Sequence, residues 1–107
     1  VRAIQDISQA YQLSIGTFGH AGDGNLHPTI LTDRRDKAEW ERVESAIEAI
    51  FDKALGMGGT LSGEHGTGLA KSAFLEKETS SHTILYSKQV KSALDPNNIL
   101  NPGKIIG

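Results

Sequence analysis

Apolar residues near the start of the chain recur at helical spacing. Ala3, Ile4, Ile7, Ala10 and Tyr11 share one face with polar residues between them, which predicts a helix over 2–12. The pattern then shifts to strand-like, rich in Ile15, Thr17 and Phe18 over 13–20. It breaks at Ala21-Gly22-Asp23-Gly24-Asn25 and alternates again over 26–31. This predicts a β-hairpin with a loop longer than two residues. Trp40, Val43, Ile47, Ile50, Phe51, Ala54 and Leu55 return to three-and-four spacing. Glu39, Glu41, Arg42, Glu44, Glu48 and Asp52 occupy the opposite side. An amphipathic helix packed on the sheet is expected, capped by Asp33, carrying Asp36 in its first turn and stopped at Gly56.

Past Met57 the periodicity dissolves into a glycine-rich segment around a short apolar piece, Thr60-Leu61. A helical stretch is predicted near 71–77. A last helix, capped by Ser80 or Ser81, aligns Tyr86, Val90, Ala93 and Leu94 until Asp95-Pro96 ends it. The tail, 97–107, reads as a turn-rich loop anchored by Ile99, Leu100, Ile105 and Ile106. The order helix, strand, strand, helix, loop, helix argues an α+β fold.

The length of 107 residues allows one ordinary domain, and 37% apolar residues is enough for a core. Eleven basic against 13 acidic residues give a net charge of −2 without a basic stripe, which argues against a nucleic-acid partner. The chain has no cysteine, so disulfides, thiolate nucleophiles and Cys-based zinc sites are excluded. No stretch approaches the roughly 18 apolar residues of a transmembrane segment, and we expect a cytoplasmic protein, or one peripheral to a membrane. The start at Val1, already inside a helical pattern, suggests the tail of something longer.

Candidate chemistry gathers beside the glycines. His20 and His27 flank the six-residue loop, so a hairpin would bring their rings within several ångströms of each other. Glu64 and His65 sit in Ser62-Gly63-Glu64-His65-Gly66-Thr67-Gly68, where glycines let the backbone approach a ligand. Two imidazoles and a carboxylate with an open position form the donor set of a catalytic zinc or similar divalent site. Spacing alone leaves a bland alternative, in which Asp23 and Asn25 only form the turn and the histidines only satisfy local packing. His82 opens a helix and needs no such role. Gly63-x4-Gly68 is not a phosphate loop, because Leu69-Ala70 stands where Lys-Ser or Lys-Thr is required. The zinc-protease pattern His-Glu-x-x-His is likewise absent.

Three segments occur in order: Gly19-His20-Ala21-Gly22-Asp23-Gly24-Asn25-Leu26-His27, then Gly59-Thr60-Leu61-Ser62-Gly63-Glu64-His65-Gly66, then Leu94-Asp95-Pro96-Asn97-Asn98-Ile99-Leu100-Asn101-Pro102-Gly103-Lys104. Together they resemble the C-terminal end of the FAD-linked oxidases that act on D-2-hydroxy acids. That family includes glycolate oxidase flavin subunits, D-lactate dehydrogenases and D-2-hydroxyglutarate dehydrogenases. The resemblance implies that residues 1–107 form the C-terminal part of a cap, or substrate, domain whose antiparallel sheet is flanked by helices. It places the main FAD-binding domain outside this chain.

Carried over residue by residue, the resemblance makes His20, His27 and Glu64 ligands of a divalent metal, zinc first, that holds the substrate carboxylate and hydroxyl. It makes His65 the general base for the hydroxyl proton while the α-hydrogen leaves as hydride to FAD. Asn101 and Lys104 fall in the terminal segment that returns towards the cofactor. Thr29 stands where some hydroxyglutarate-type members carry an asparagine, which leaves glycolate, lactate and larger 2-hydroxy acids all open. The expected partners are thus a small 2-hydroxy acid, an electron acceptor, and a second copy or partner subunits covering sheet edges and apolar surface. The fragment alone is expected to be inactive. The competing reading is a non-catalytic module that binds a divalent metal or a protein partner.

Overall fold

The computed structural model describes residues 1–106 and shows an α+β chain of two compact units, Val1–Gly59 and Thr60–Gly107. In the first unit, helix α1 (Arg2–Ala10) leads through Gln12, at φ 53°, into strand β1 (Ser14–His20). A 3-10 turn over Ala21–Asp23 closes on Gly24 at φ 70° and returns as strand β2 (Asn25–Leu31). Helix α2 (Lys37–Gly56) completes the unit.

The two strands pair antiparallel from Ser14 opposite Leu31 to His20 opposite Asn25. Side chains of a strand alternate between faces, and the pairing register therefore sorts the hairpin into two surfaces. Ile15 and Ile30, directly opposed, face the core. Gly16, Phe18 and His20 share the other face with Thr29 and His27. Leu13, Val43 and Ala46 form the buried core, and Ile7, Tyr11, Ile15, Ile30, Trp40 and Ile47 pack around it. This is the amphipathic packing that the helical spacing predicts, with Val43 only 2% exposed.

The cap of α2 differs from expectation by three residues. Asp33 is held by Arg35, whose Nε donates at 3.0 Å and whose Nη2 donates at 2.9 Å. That fork also holds the Asp33 carboxyl below its usual range. With Asp33 engaged, Asp36 becomes the cap and accepts the Glu39 amide at 3.1 Å.

The second unit has little regular structure before residue 72. A 3-10 turn over Ser72–Phe74 runs into the single-turn helix α3 (Leu75–Glu78), where one continuous helical stretch was expected. Helix α4 (Ser81–Leu94) follows, with Ser80 as its cap and the Thr83 amide donating to Ser80 Oγ at 3.1 Å. Its shared apolar face is uncovered: Tyr86, Val90 and Leu94 are 64%, 59% and 79% exposed. The predicted tail anchors also differ, since Ile99, Leu100 and Ile105 are exposed and only Ile106 is partly buried. Polar bonding instead orders the tail, through Asp95. Among the described residues, no helix is long and apolar enough to cross a membrane.

Candidate functional site

The end of the hairpin carries the first pair of candidate groups. Gly19 has φ 151°, and a Cβ there would overlap the Asn25 carbonyl oxygen, so only glycine lets the strands close at this point. Phe18 lies directly opposite His27, and their rings stack at 5.2 Å between centroids and 26° between planes. His20, opposite Asn25, is therefore diagonal to His27 on the same face. The two imidazoles meet edge to face, 6.3 Å between centroids and 79° between planes. The sequence expectation of neighbouring histidine rings is met in the first unit, on the hairpin face turned away from Ile15 and Ile30.

Thr29 extends the same face, two residues beyond His27. Phe18 and Leu31, also on it, are 65% and 66% exposed. A pair of neighbouring imidazoles can offer ring nitrogens to a cation.

Glu64 and His65 lie in the second unit, within the irregular segment that precedes Ser72. Glycines flank the pair, and Gly66 and Gly68 take φ 77° and 55°. The His65 Nε2 stands 3.6 Å from Glu64 Oε1, beyond hydrogen-bond length but within ion-pair range when the imidazole is protonated. The His65 side chain is 76% exposed.

The terminal segment holds Asn101 and Lys104, both exposed. Its course is set by Asp95, which the sequence marks as a helix terminator and as part of the third motif. Asp95 is 6% exposed; Oδ1 accepts the Ile99 amide at 3.0 Å, Oδ2 accepts the Leu100 amide at 2.9 Å, and the Lys91 ammonium is paired with Oδ2. These partners, Lys91 foremost, hold its carboxyl down to about 2. The signal for this was present in the sequence as Lys91 and Asp95 four apart on a helix, but the two amides come from residues beyond the helix end.

Comparison with known proteins places the chain in a family. The family profile "FAD linked oxidases, C-terminal domain" matches residues 1–105. The glycolate oxidase subunit GlcD of Bacillus subtilis is 56% identical over 105 residues, 98% of this chain and 22% of the relative. A probable mitochondrial D-lactate dehydrogenase of Danio rerio is 47% identical over 88 residues, 82% of this chain and 18% of the relative. The D-2-hydroxyglutarate dehydrogenase of Stutzerimonas stutzeri is 44% identical over 90 residues, 82% of this chain and 19% of the relative. The chain thus spans about a fifth of the length of these curated relatives.

Proposed function

The chain belongs to the C-terminal domain family of the FAD linked oxidases, and from that premise we propose that it forms the substrate-side end of a longer flavoprotein that oxidises a D-2-hydroxy acid to the 2-oxo acid. The observation that carries this reading is the match over 105 of 107 residues to a family whose similar members are named for glycolate, D-lactate and D-2-hydroxyglutarate.

His20, His27 and Glu64 are the groups we assign to a divalent cation, zinc first. The edge-to-face pairing of the two imidazoles suits them to a shared ion, and Glu64 adds the carboxylate that leaves such a site with an open position for substrate. Held there, a cation would polarise the substrate hydroxyl, and FAD would supply the hydride acceptor. His65 takes the hydroxyl proton. The α-C–H bond breaks with its electron pair, the C–O bond becomes a carbonyl, and the proton rests on the imidazole. Imidazole suits this step because its ordinary pKa lies near the working pH. We assign Asn101 and Lys104 to the flavin side, where a lysine ammonium favours negative charge on the reduced ring. A cytoplasmic enzyme, peripheral to a membrane or bound to partner subunits that take its electrons, completes the proposal.

The test uses the full-length flavoprotein that carries this domain. Anaerobic bleaching of the flavin is followed with glycolate, D-lactate and D-2-hydroxyglutarate, for the wild type and for His65→Ala and His27→Ala. We expect one acid to bleach the flavin, His65→Ala to abolish rapid bleaching with flavin still bound, and His27→Ala to lose the divalent metal. Bleaching by none of the acids removes the substrate assignment. Failure to bind flavin favours the metal-binding or interaction module.

A further inference from the structure

Asp95 is 6% exposed, and both of the amides that donate to its carboxylate lie in the chain that follows α4. Its own carbonyl accepts the Asn98 amide at 3.0 Å, closing a turn with Pro96 in the position where a fixed φ is favourable. Its two oxygens then take the next two amides, of Ile99 and Leu100. Lys91, one helical turn earlier, neutralises the carboxylate and also reaches Asn98 Oδ1 at 3.4 Å. Asp95 therefore fixes three consecutive points of the backbone path, Asn98 through its carbonyl and Ile99 and Leu100 through its carboxylate, and the next residue is Asn101.

Three residues of this path take the left-handed region of backbone conformation. Asn98, Asn101 and Ile105 have φ of 50°, 45° and 58°. For a β-branched residue such as Ile105 this region is costly, and it persists only where the surroundings fix it. The apolar residues of the tail do little of that fixing, because Ile99 and Leu100 are 73% and 61% exposed. Hydrogen bonds to a charged acceptor are about twice as strong as neutral ones, which suits Asp95 to fixing the start of this path at Ile99 and Leu100, while the Ile106 amide closes the turn at Ile105 by donating to the Lys104 carbonyl at 2.7 Å.

We propose that Asp95 is a positioning residue: its carboxylate, through the Ile99 and Leu100 amides, sets the place from which Asn101 and Lys104 act on the flavin side of the reaction. This rests on the flavin-side assignment of Lys104 made above. Asp95 touches neither substrate nor cofactor in this account. Releasing the two amides lets the segment shift, and displacements of about 1 Å in a reacting geometry are enough to cost tenfold or more in rate.

The experiment is a double-mutant cycle in the full-length flavoprotein, read as the rate of anaerobic flavin bleaching by its acid. Asp95→Asn keeps the side-chain shape and loses the charge; it should slow bleaching about tenfold while the substrate KM stays unchanged. Lys104→Ala should slow it as well. The double variant should be no slower than the slower single variant, because Lys104 is already displaced when Asp95 is neutral. Effects that multiply would overturn the proposal. Slowing by Lys104→Ala with none by Asp95→Asn would remove the positioning role and leave the flavin-side assignment standing. No effect of Lys104→Ala would instead remove that assignment, and the proposal with it. If Asp95→Asn does not fold, Asp95→Glu serves: it keeps the charge but moves the two acceptor oxygens by one methylene, so bleaching should slow several-fold with KM unchanged. Bleaching at the wild-type rate in Asp95→Glu would overturn the proposal.

Discussion

Val43 and Val90 are both interior helical valines on apolar stripes of similar spacing, yet one is 2% exposed and the other 59%. Replacing each by alanine removes the same two methyl groups. At Val43 both are buried, which costs about 1.6 kcal/mol at roughly 0.8 kcal/mol per buried carbon. The space left against Leu13 and Ala46 raises this to about 2.5 kcal/mol. Alanine's better helix propensity returns about 0.5 kcal/mol, so the net loss is about 2 kcal/mol. At Val90 less than half of the burial is at stake, about 0.6 kcal/mol, and the same propensity gain cancels it. Thermal unfolding followed by far-UV circular dichroism measures both. Fluorescence of Trp40, the single tryptophan, reports on the unit that contains Val43. Val43→Ala should lower the melting temperature by on the order of 10 °C and Val90→Ala should leave it nearly unchanged. Equal losses would refute the reasoning, because they would require the α4 face to be covered in the folded chain.

Three further perturbations follow from particular contacts. Asp36→Ala removes the acceptor for the Glu39 amide and should cost about 1 kcal/mol, whereas Asp33→Ala should cost less because Asp33 bonds Arg35 and caps nothing; chemical denaturation separates the two. The Asp95 carboxyl is lowered to about 2 from 3.8, so it contributes stability above pH 4 that disappears as the pH falls through about 2. Acid titration of Asp95→Asn should lack that part of the loss. Gly19→Ala should prevent closure of the hairpin end, since the added methyl meets the Asn25 carbonyl. Its loss of the His20–His27 ring contact is readable by NMR.

Much of this architecture was legible in the sequence because it depends on local period and on glycine placement. The hairpin, the long helix and its buried face follow from alternation in one segment and three-and-four spacing in the next. The nearness of His20 and His27 follows from the loop length between them. Other features depend on competition that a linear reading does not contain. Asp33 lost the cap position to Asp36 because Arg35 engages it first. The Tyr86, Val90 and Leu94 stripe has helical period yet stays uncovered, because period shows that a helix has an apolar side and not that anything covers it. The tail isoleucines and leucine read as anchors by composition, while the segment is held by backbone amides on Asp95, which no hydrophobic pattern marks. For the candidate site, residue types and motif order pointed to Glu64 and His65, while spacing alone could not separate a metal ligand from a turn-former.

Under the proposed function, residues of this domain serve hydride removal from a D-2-hydroxy acid. The most direct measurement is rapid-mixing anaerobic reduction of the full-length flavoprotein by its acid carrying deuterium at C2. The account predicts that deuterium slows flavin bleaching several-fold, that His65→Ala lowers the rate further, and that the L-enantiomer of a chiral substrate leaves the flavin oxidised. Bleaching by D-acids that is indifferent to deuterium under single-turnover conditions, and unaffected by His65→Ala, would contradict it.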